Sequence, residues 1–520
     1  MIETKTGVLL RSDQIGSPPA SSPFSPRIRR LVVPLLILSH LIITLILAYK
    51  LNIWVDEAFS LNTTGKNVGY AFDQAIHFEL QAPLYFVLLS VWRKISASIF
   101  FARLFSVLCM ALTLKVVAGL SRRFFKGLHP GWVVAGVAFN PFTIYAAVEI
   151  RVYALVILLS ALLLLCFFDG YLSARPRPRA RVLYLLLSIL ALYTYYYLGF
   201  LLVANAFVLL LLRRWRLLFI YLAGMIGVGA ACAPAFIVAL QQKAAATKDM
   251  HDTFTLTRGL GHIFWRIKDY LLPVEWEPSA VWRQWILRFG YIVILFFLIK
   301  RKRRSLTVSN IAIWTITVIT SLFFLIVLMR NGETLLQSRH TAVLFLPVIF
   351  SAFALVRIIS RRKALIIWTS VTLFFYATSL YVLYRPMAKY GDWKRVASYL
   401  MASAKPGQPI LVFHAGAALP LSHYYSGPNP LVPLPRENSF KSFDYNNYAL
   451  RDEKEISEAL SRVPGSKEQL WLVTDEQCKY GDIDYHCEIL EDYTGKYYTV
   501  ESDKRFFHSE VKLLRRRPAS

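Results

Sequence analysis

Four polar groups in this sequence stand beside long apolar runs, and each carries residue types that move protons or hold anions. Asp56 and Glu57 are adjacent carboxylates just past the first such run. The stretch His77-Phe78-Glu79-Leu80-Gln81-Ala82-Pro83-Leu84-Tyr85 sets an imidazole, a carboxylate, an amide and a phenol around the start of a short apolar segment. Glu149, Arg151 and Tyr153 alternate along a third stretch, and Gln337-Ser338-Arg339-His340 heads a later run. A carboxylate within hydrogen-bond reach of a hydroxyl can take its proton, and arginines in a dry site can stabilise a departing phosphate. Ionisable groups at membrane depth are costly unless they pair or face water, so function is the default hypothesis for them. A structural reading stays open beside each. Asp56 and Glu57 also fit a solvated helix end, Glu149 and Arg151 an ion pair, His77 and Glu79 an interfacial loop, and Arg339 a side chain snorkelling to headgroups.

The elements that must position these groups are membrane helices. The 520 residues are 56% hydrophobic, with a mean hydropathy of +0.45, too apolar for a soluble chain of ordinary composition. The formal charge of +27 is unevenly placed: from Lys389 onward 18 basic and 18 acidic residues cancel, while 41 basic and 14 acidic residues precede it. Basic excess in a membrane domain reports orientation rather than a polyanionic partner. Basic runs interleaved with aromatics are absent outside the short loops, so nucleic acid is set aside as a partner.

A helix needs about 20 apolar residues to cross a bilayer, and cytoplasmic loops collect Lys and Arg. Runs at 31–49, 101–121, 217–238, 284–299, 309–329, 341–356 and 364–384 each read as one span. Residues 131–172 read as a hairpin, and 182–212 as two short helices meeting at Tyr193-Thr194-Tyr195-Tyr196-Tyr197. The expectation is about 11 transmembrane helices, with residues 1–30 a disordered cytoplasmic tail and the C-terminus outside. Arg27, Arg29 and Arg30 ahead of the first run imitate a signal peptide, but its length and the lack of a small-residue cleavage site favour a retained span. Of the acidic residues before Lys389, only Glu3, Asp13 and Asp169 fall on the cytoplasmic side in this topology. The other carboxylates gather on the outer face, within external loops 50–100 and 239–283 and at the hairpin's turn. Residues 84–92 are too short to cross and should lie along the interface.

Residues 388–520 change character. Buried strands are expected at 409–413 and 469–474, with polar helices at 393–402 and 453–461, enough for one small extracytoplasmic α/β domain. Cys478 and Cys487 fall together in it and could pair in an oxidising compartment. Cys109, Cys166 and Cys232 fall in apolar runs, where a thiol is a small hydrophobe.

An Asp-Glu pair soon after the first span is followed by Pro83-Leu84-Tyr85, then by Phe101-Ala102-Arg103-Leu104-Phe105-Ser106 opening the second. Asn140-Pro141-Phe142 through Glu149-Ile150-Arg151-Val152-Tyr153-Ala154-Leu155 comes next, then Tyr193-Thr194-Tyr195-Tyr196. Arg339 precedes a Pro-containing span, and Gly391-Asp392-Trp393-Lys394 follows the last one. In this order and spacing the motifs resemble the GT-C glycosyltransferases. More narrowly, they are similar to bacterial relatives of protein O-mannosyltransferases and of the lipid A aminoarabinose transferase.

The resemblance implies transfer of a sugar from a polyprenyl-phosphate donor to a lipid, glycan or protein acceptor, with inversion, on the outer face of the cytoplasmic membrane. Asp56 would be the general base, and Glu57 would orient it or bind the acceptor. Arg151 and Arg339, with His340 as a weaker candidate, would hold the donor phosphate. His77, Glu79, Gln81, Tyr85, Glu149, Tyr153 and Tyr195 are further candidates for donor or acceptor binding. Two departures matter. The aminoarabinose transferases carry a Lys before Pro-Pro where this chain has Gln81-Ala82-Pro83, so that phosphate contact is missing or relocated. Oligosaccharyl transferases of the wider superfamily hold a divalent ion with several carboxylates, but no Asp-x-Asp cluster accompanies Asp56 here. Glu79 and Glu149 could be ligands, yet the arginines favour transfer without a metal or other cofactor. The rival reading, a transporter or lipid flippase, predicts internal repeats, and the sequence shows none.

Overall fold

The structure, a computed structural model, describes residues 26–246, 255–272, 289, 307–331, 338–359, 362–442, 444, 447–463, 468–480 and 483–518. The first helices are α1 (Pro26–Lys50), α2 (Val55–Thr63), α3 (Val68–His77), α4 (Leu84–Arg93) and α5 (Ile99–Phe124). Next come α6 (Pro130–Ala138), α7 (Pro141–Ala147), α8 (Tyr153–Phe167), α9 (Pro178–Thr194) and α10 (Leu198–Leu211). They are followed by α11 (Trp215–Ala231), α12 (Ala233–Ala246), α13 (Leu256–Leu271), α14 (Val308–Asn331), α15 (Ala342–Ile359) and α16 (Arg362–Tyr384). The span expected at 284–299, apart from residue 289, lies outside the described residues, as do residues 1–25 of the tail and residues 247–254 and 273–283 of the loop at 239–283.

Two compact units share the chain. The first comprises residues 1–46, 103–241 and 253–383; the second comprises 47–102, 242–252 and 384–520.

The first unit is a helical membrane domain. Across the whole chain, six described helices are long and apolar enough to cross a membrane, or seven if a bent pair is counted as one span. One side of α1 shows why: Leu31, Leu35, Leu38, Ile42 and Ile46, at helical spacing, are each half or more exposed, a face suited to lipid. The bent pair is α11 and α12, which meet at 65° where a single straight span was expected at 217–238. Pro234 is the cause, since it lacks an N–H and clashes with the preceding turn. The hairpin's first arm is likewise broken into α6 and α7 at Asn140-Pro141, where the Asn140 side chain accepts from Phe142 N and caps α7. The two short helices expected at 182–212 are α9 and α10, parted at Tyr195-Tyr196-Tyr197. Buried polar groups tie these pieces together: Tyr184 and Tyr221 hydroxyls are 2.8 Å apart, and Asn205 Nδ2 donates to Tyr184 at 2.8 Å. Asp169 takes a two-pronged bond from Arg123 at 2.6 and 2.7 Å.

The second unit is built on a five-stranded sheet, β1 (Ile410–Phe413), β2 (Leu431–Leu434), β3 (Gln469–Asp475), β6 (Tyr498–Phe506) and β7 (Ser509–Arg516), with a two-stranded ribbon of β4 (Lys479–Tyr480) and β5 (Ile483–Asp484). The order is β2-β1-β3-β7-β6. β1 is parallel to β2 and β3, and β7 is antiparallel to β3 and β6. A strand covered on both faces reads as a continuous apolar run, which is why Ile410-Leu411-Val412-Phe413 was legible. Its helices are α17 (Trp393–Ser403), α18 (Ala415–Ser422), α19 (Glu453–Ser461) and α20 (Cys487–Tyr497). Ile410, Val412, Trp471 and Val473 pack on α17 through Trp393, Val396 and Leu400. The opposite face, Leu411, Phe413, Leu470 and Leu472, buries Leu460, Leu490 and also Phe59 and Phe78. Helix α2 and the end of α3 therefore share a core with the sheet. Cys478 and Cys487 are joined in a disulfide.

The architecture is that of a polytopic α-helical membrane protein with a C-terminal sheet domain.

Candidate active site

Asp56 and Glu57 occupy the first turn of α2, where the positive end of the helix dipole favours negative charge. Their surroundings differ. Glu57 is sealed from solvent, and its Oε2 accepts from Lys389 Nζ at 2.8 Å, with side-chain exposures of 0% and 9%. Asp56 remains half-buried. The helix is held from several directions within its unit. Lys389 N donates to Asn52 Oδ1 at 2.7 Å, and Ile53 N donates to the Tyr424 hydroxyl at 2.8 Å. Helix α18 packs against α2. Phe59 meets Phe78 edge-on at 5.2 Å, and Phe440 packs on both at 6.4 and 5.4 Å.

The group around α3 and α4 belongs to the same unit. His77 is exposed and turns back onto Asp73 at 3.0 Å, an i,i+4 surface pair. Glu79 is half-buried and its Oε1 accepts from Thr63 Oγ1 at 3.2 Å. The Gln81 carbonyl accepts from buried Gln242 Nε2 at 3.2 Å, and the Ile76 carbonyl accepts from the same nitrogen at 3.1 Å. Tyr85 is buried, edge-on to Phe86 at 5.2 Å.

Glu149, Arg151, Tyr153, Tyr195, Arg339 and His340 belong to the first unit. Glu149 and Arg151 are both buried, just ahead of α8. The Glu149 carbonyl accepts from Ser106 Oγ at 2.6 Å, which fixes the turn against α5. Tyr195, in the break between α9 and α10, donates its hydroxyl to the His340 carbonyl at 2.9 Å. It also lies in electrostatic reach of Tyr153, Tyr270 and Arg339. Tyr270 is fastened by Asn140 Nδ2 donating to its carbonyl at 2.8 Å and by its hydroxyl on Thr341 Oγ1 at 2.7 Å. Phe142 and Phe345 stand 5.0 and 5.4 Å from its ring. Arg339 and His340 thus sit in an aromatic and tyrosine-rich surround, suited to holding an anion with an apolar chain attached.

In overall course the chain is similar to ArnT from Cupriavidus metallidurans. The apo form of that protein matches with a TM-score of 0.45 at 12% identity, over 92% of this chain and 97% of that one. The form bound to undecaprenyl phosphate matches with a TM-score of 0.45 at 13% identity and the same coverage. An oligosaccharyltransferase from Archaeoglobus fulgidus, in complex with Zn and sulfate, matches with a TM-score of 0.39 at 12% identity, over 88% of this chain and 71% of that one. No protein-family model and no curated protein matches the chain.

Two residues join the candidates only once the fold is seen. Lys389 is 332 positions from Glu57, and in the sequence it marked only the start of the tail. Arg103 is fully buried on α5, one turn before the Ser106 that holds the Glu149 carbonyl. Its signal was present, since it is the only charged residue between Ile99 and Leu114. Gly391-Asp392-Trp393 is a structural turn: Gly391 has φ +96°, Asp392 pairs with Arg395 at 3.1 Å, and Trp393 is wholly buried. Burial raises the Asp392 carboxyl above its ordinary range, against the pull of Arg395. Among the described residues, Asp484, His486 and Glu488 have ligand atoms within 4.8 Å of one another; none of the candidate residues belongs to that group.

Proposed function

We propose that the chain is a membrane glycosyltransferase of GT-C type that moves a sugar from a polyprenyl-phosphate carrier to an acceptor hydroxyl, inverting the anomeric carbon. The observation that carries this reading is the division of labour within the first turn of α2. Glu57 is committed to Lys389, while Asp56 beside it keeps access to solvent. A base must reach its proton, so Asp56 is the general base and Glu57 fixes the turn that presents it. Arg151 and Arg339 supply the positive charge on which the lipid phosphate leaves, with His340 and Tyr195 shaping the Arg339 side. Transfer then needs no metal to neutralise the leaving group. The same reading places this chemistry at the outer face of the cytoplasmic membrane.

The test is to incubate the purified full-length protein with a panel of polyprenyl-phosphate sugars and follow donor consumption. Wild type should consume at least one donor. Asp56→Asn should lower turnover by about 10² to 10⁴-fold, with expression and thermal unfolding unchanged. Wild-type turnover in that variant would remove Asp56 as base, and no consumption of any donor by wild type would remove the reading itself.

A further inference from the structure

The second unit contains an open cavity of about 410 Å³ lined by Lys50, Asn52, Met387, Asp392, Lys394 and Arg395, among others. Its position is set by the chain: Lys50 is the last residue of α1, and Met387 follows the last apolar helix, α16, by three residues. Three cations therefore line a hollow whose walls lie, in sequence, within a few residues of the ends of two apolar helices.

Helix physics accounts for only part of this charge. Lys50 at a helix C-terminus is favoured by the dipole, but Lys394 and Arg395 fall in the first turn of α17, where the dipole opposes cations. Arg395 is compensated by Asp392 at 3.1 Å. Lys394 and Lys50 make no ion pair among the described residues, and both are exposed. Two uncompensated ammonium groups facing one concavity repel each other and lower the cost of bringing an anion between them. The volume suits a small polar group, and Met387, 39% exposed, gives it an apolar edge. Asn52 lines the cavity and also accepts the Lys389 N–H at 2.7 Å, so an occupant would abut the segment that holds Glu57.

We propose that this cavity binds the phosphate headgroup of an anionic membrane lipid, with Lys50 and Lys394 as its contacts. The occupant is a lipid rather than a soluble anion because the lining includes the last residue of α1 and a residue three positions past α16, and cations next to the ends of apolar helices attract anionic headgroups. The proposal concerns binding alone and is read without sugar donor, so its failure and the failure of the transferase reading are separate results.

The experiment titrates full-length protein in neutral detergent with acyl-labelled phosphatidylglycerol, with phosphatidylcholine as the zwitterionic comparison and inorganic phosphate as competitor. Wild type should bind phosphatidylglycerol in preference to phosphatidylcholine, and millimolar phosphate should displace little of it. The double variant K50Q/K394Q should bind about thirtyfold more weakly, at roughly one favourable interaction per cation. The control K405Q/K454Q, which removes the same charge from exposed positions of the same unit, should bind as wild type. Unchanged affinity in K50Q/K394Q, an equal loss in the control, or full displacement by inorganic phosphate would each overturn the proposal. Thermal unfolding of both variants checks that the fold is kept.

Discussion

At the scale of single residues, the Glu57–Lys389 pair is the strongest constraint on the chemistry. Desolvating both charges roughly cancels their attraction, so the pair adds little net stability, but removing one partner strands a buried charge at a cost of about 3–5 kcal/mol. Lys389→Met should accordingly lower the stability of the protein by about that amount. The double variant E57Q/K389M should recover most of the loss, because no charge is then left unmatched. Thermal unfolding of the four proteins of this cycle measures the coupling. A single variant as stable as wild type would mean that Glu57 has another counter-charge. This pair was not legible in the sequence, because nothing local links positions 332 residues apart. Asp56, by contrast, was legible as a candidate from its place beside the first apolar run.

At the scale of elements, the sheet domain and the helix bearing the carboxylates are one packing unit, and its weakest tolerance is at the turn into α17. Gly391 has φ +96°, a conformation that strains any side chain, and a Cβ there would overlap the Trp393 ring. That ring cannot retreat, since it is packed among Val412, Trp471 and Val473. Gly391→Ala should cost about 3 kcal/mol from backbone strain and overpacking together. Limited proteolysis of the full chain should show faster cleavage within residues 384–520. Wild-type resistance would show that the turn relaxes. The strands β1 and β3 were readable because both faces of each are buried, so the apolar run is unbroken. That α2 and the end of α3 complete the same core was not readable, since it rests on Phe59 and Phe78 meeting a sheet that begins over 300 residues later. The bend between α11 and α12 was within reach, as Pro234 marks it. The reading of one straight span gave hydropathy precedence over that proline.

At the scale of the whole molecule, charge placement and cysteine chemistry bear on the same question of orientation. The basic excess before Lys389 leads to the expectation that the loops holding Arg122, Arg123 and Arg213 face the cytoplasm and residues 384–520 the opposite compartment, and this expectation can be tested. The Cys478–Cys487 disulfide in that segment is stable in oxidising compartments and rare in reducing ones, so its state in cells reports where the sheet domain resides. Cys109, Cys166 and Cys232 are free and buried and serve as internal standards once the protein is denatured. Cells are quenched in acid, denatured, and treated with a polyethylene-glycol maleimide that adds a fixed mass to each thiol. Without reductant the full-length protein should gain three additions; after reduction it should gain five. Five additions before reduction would place the domain in a reducing compartment, and the carboxylates of α2, which share its core, would go with it. Sugar transfer from a carrier presented on the outer leaflet would then be out of reach of Asp56 whatever its geometry.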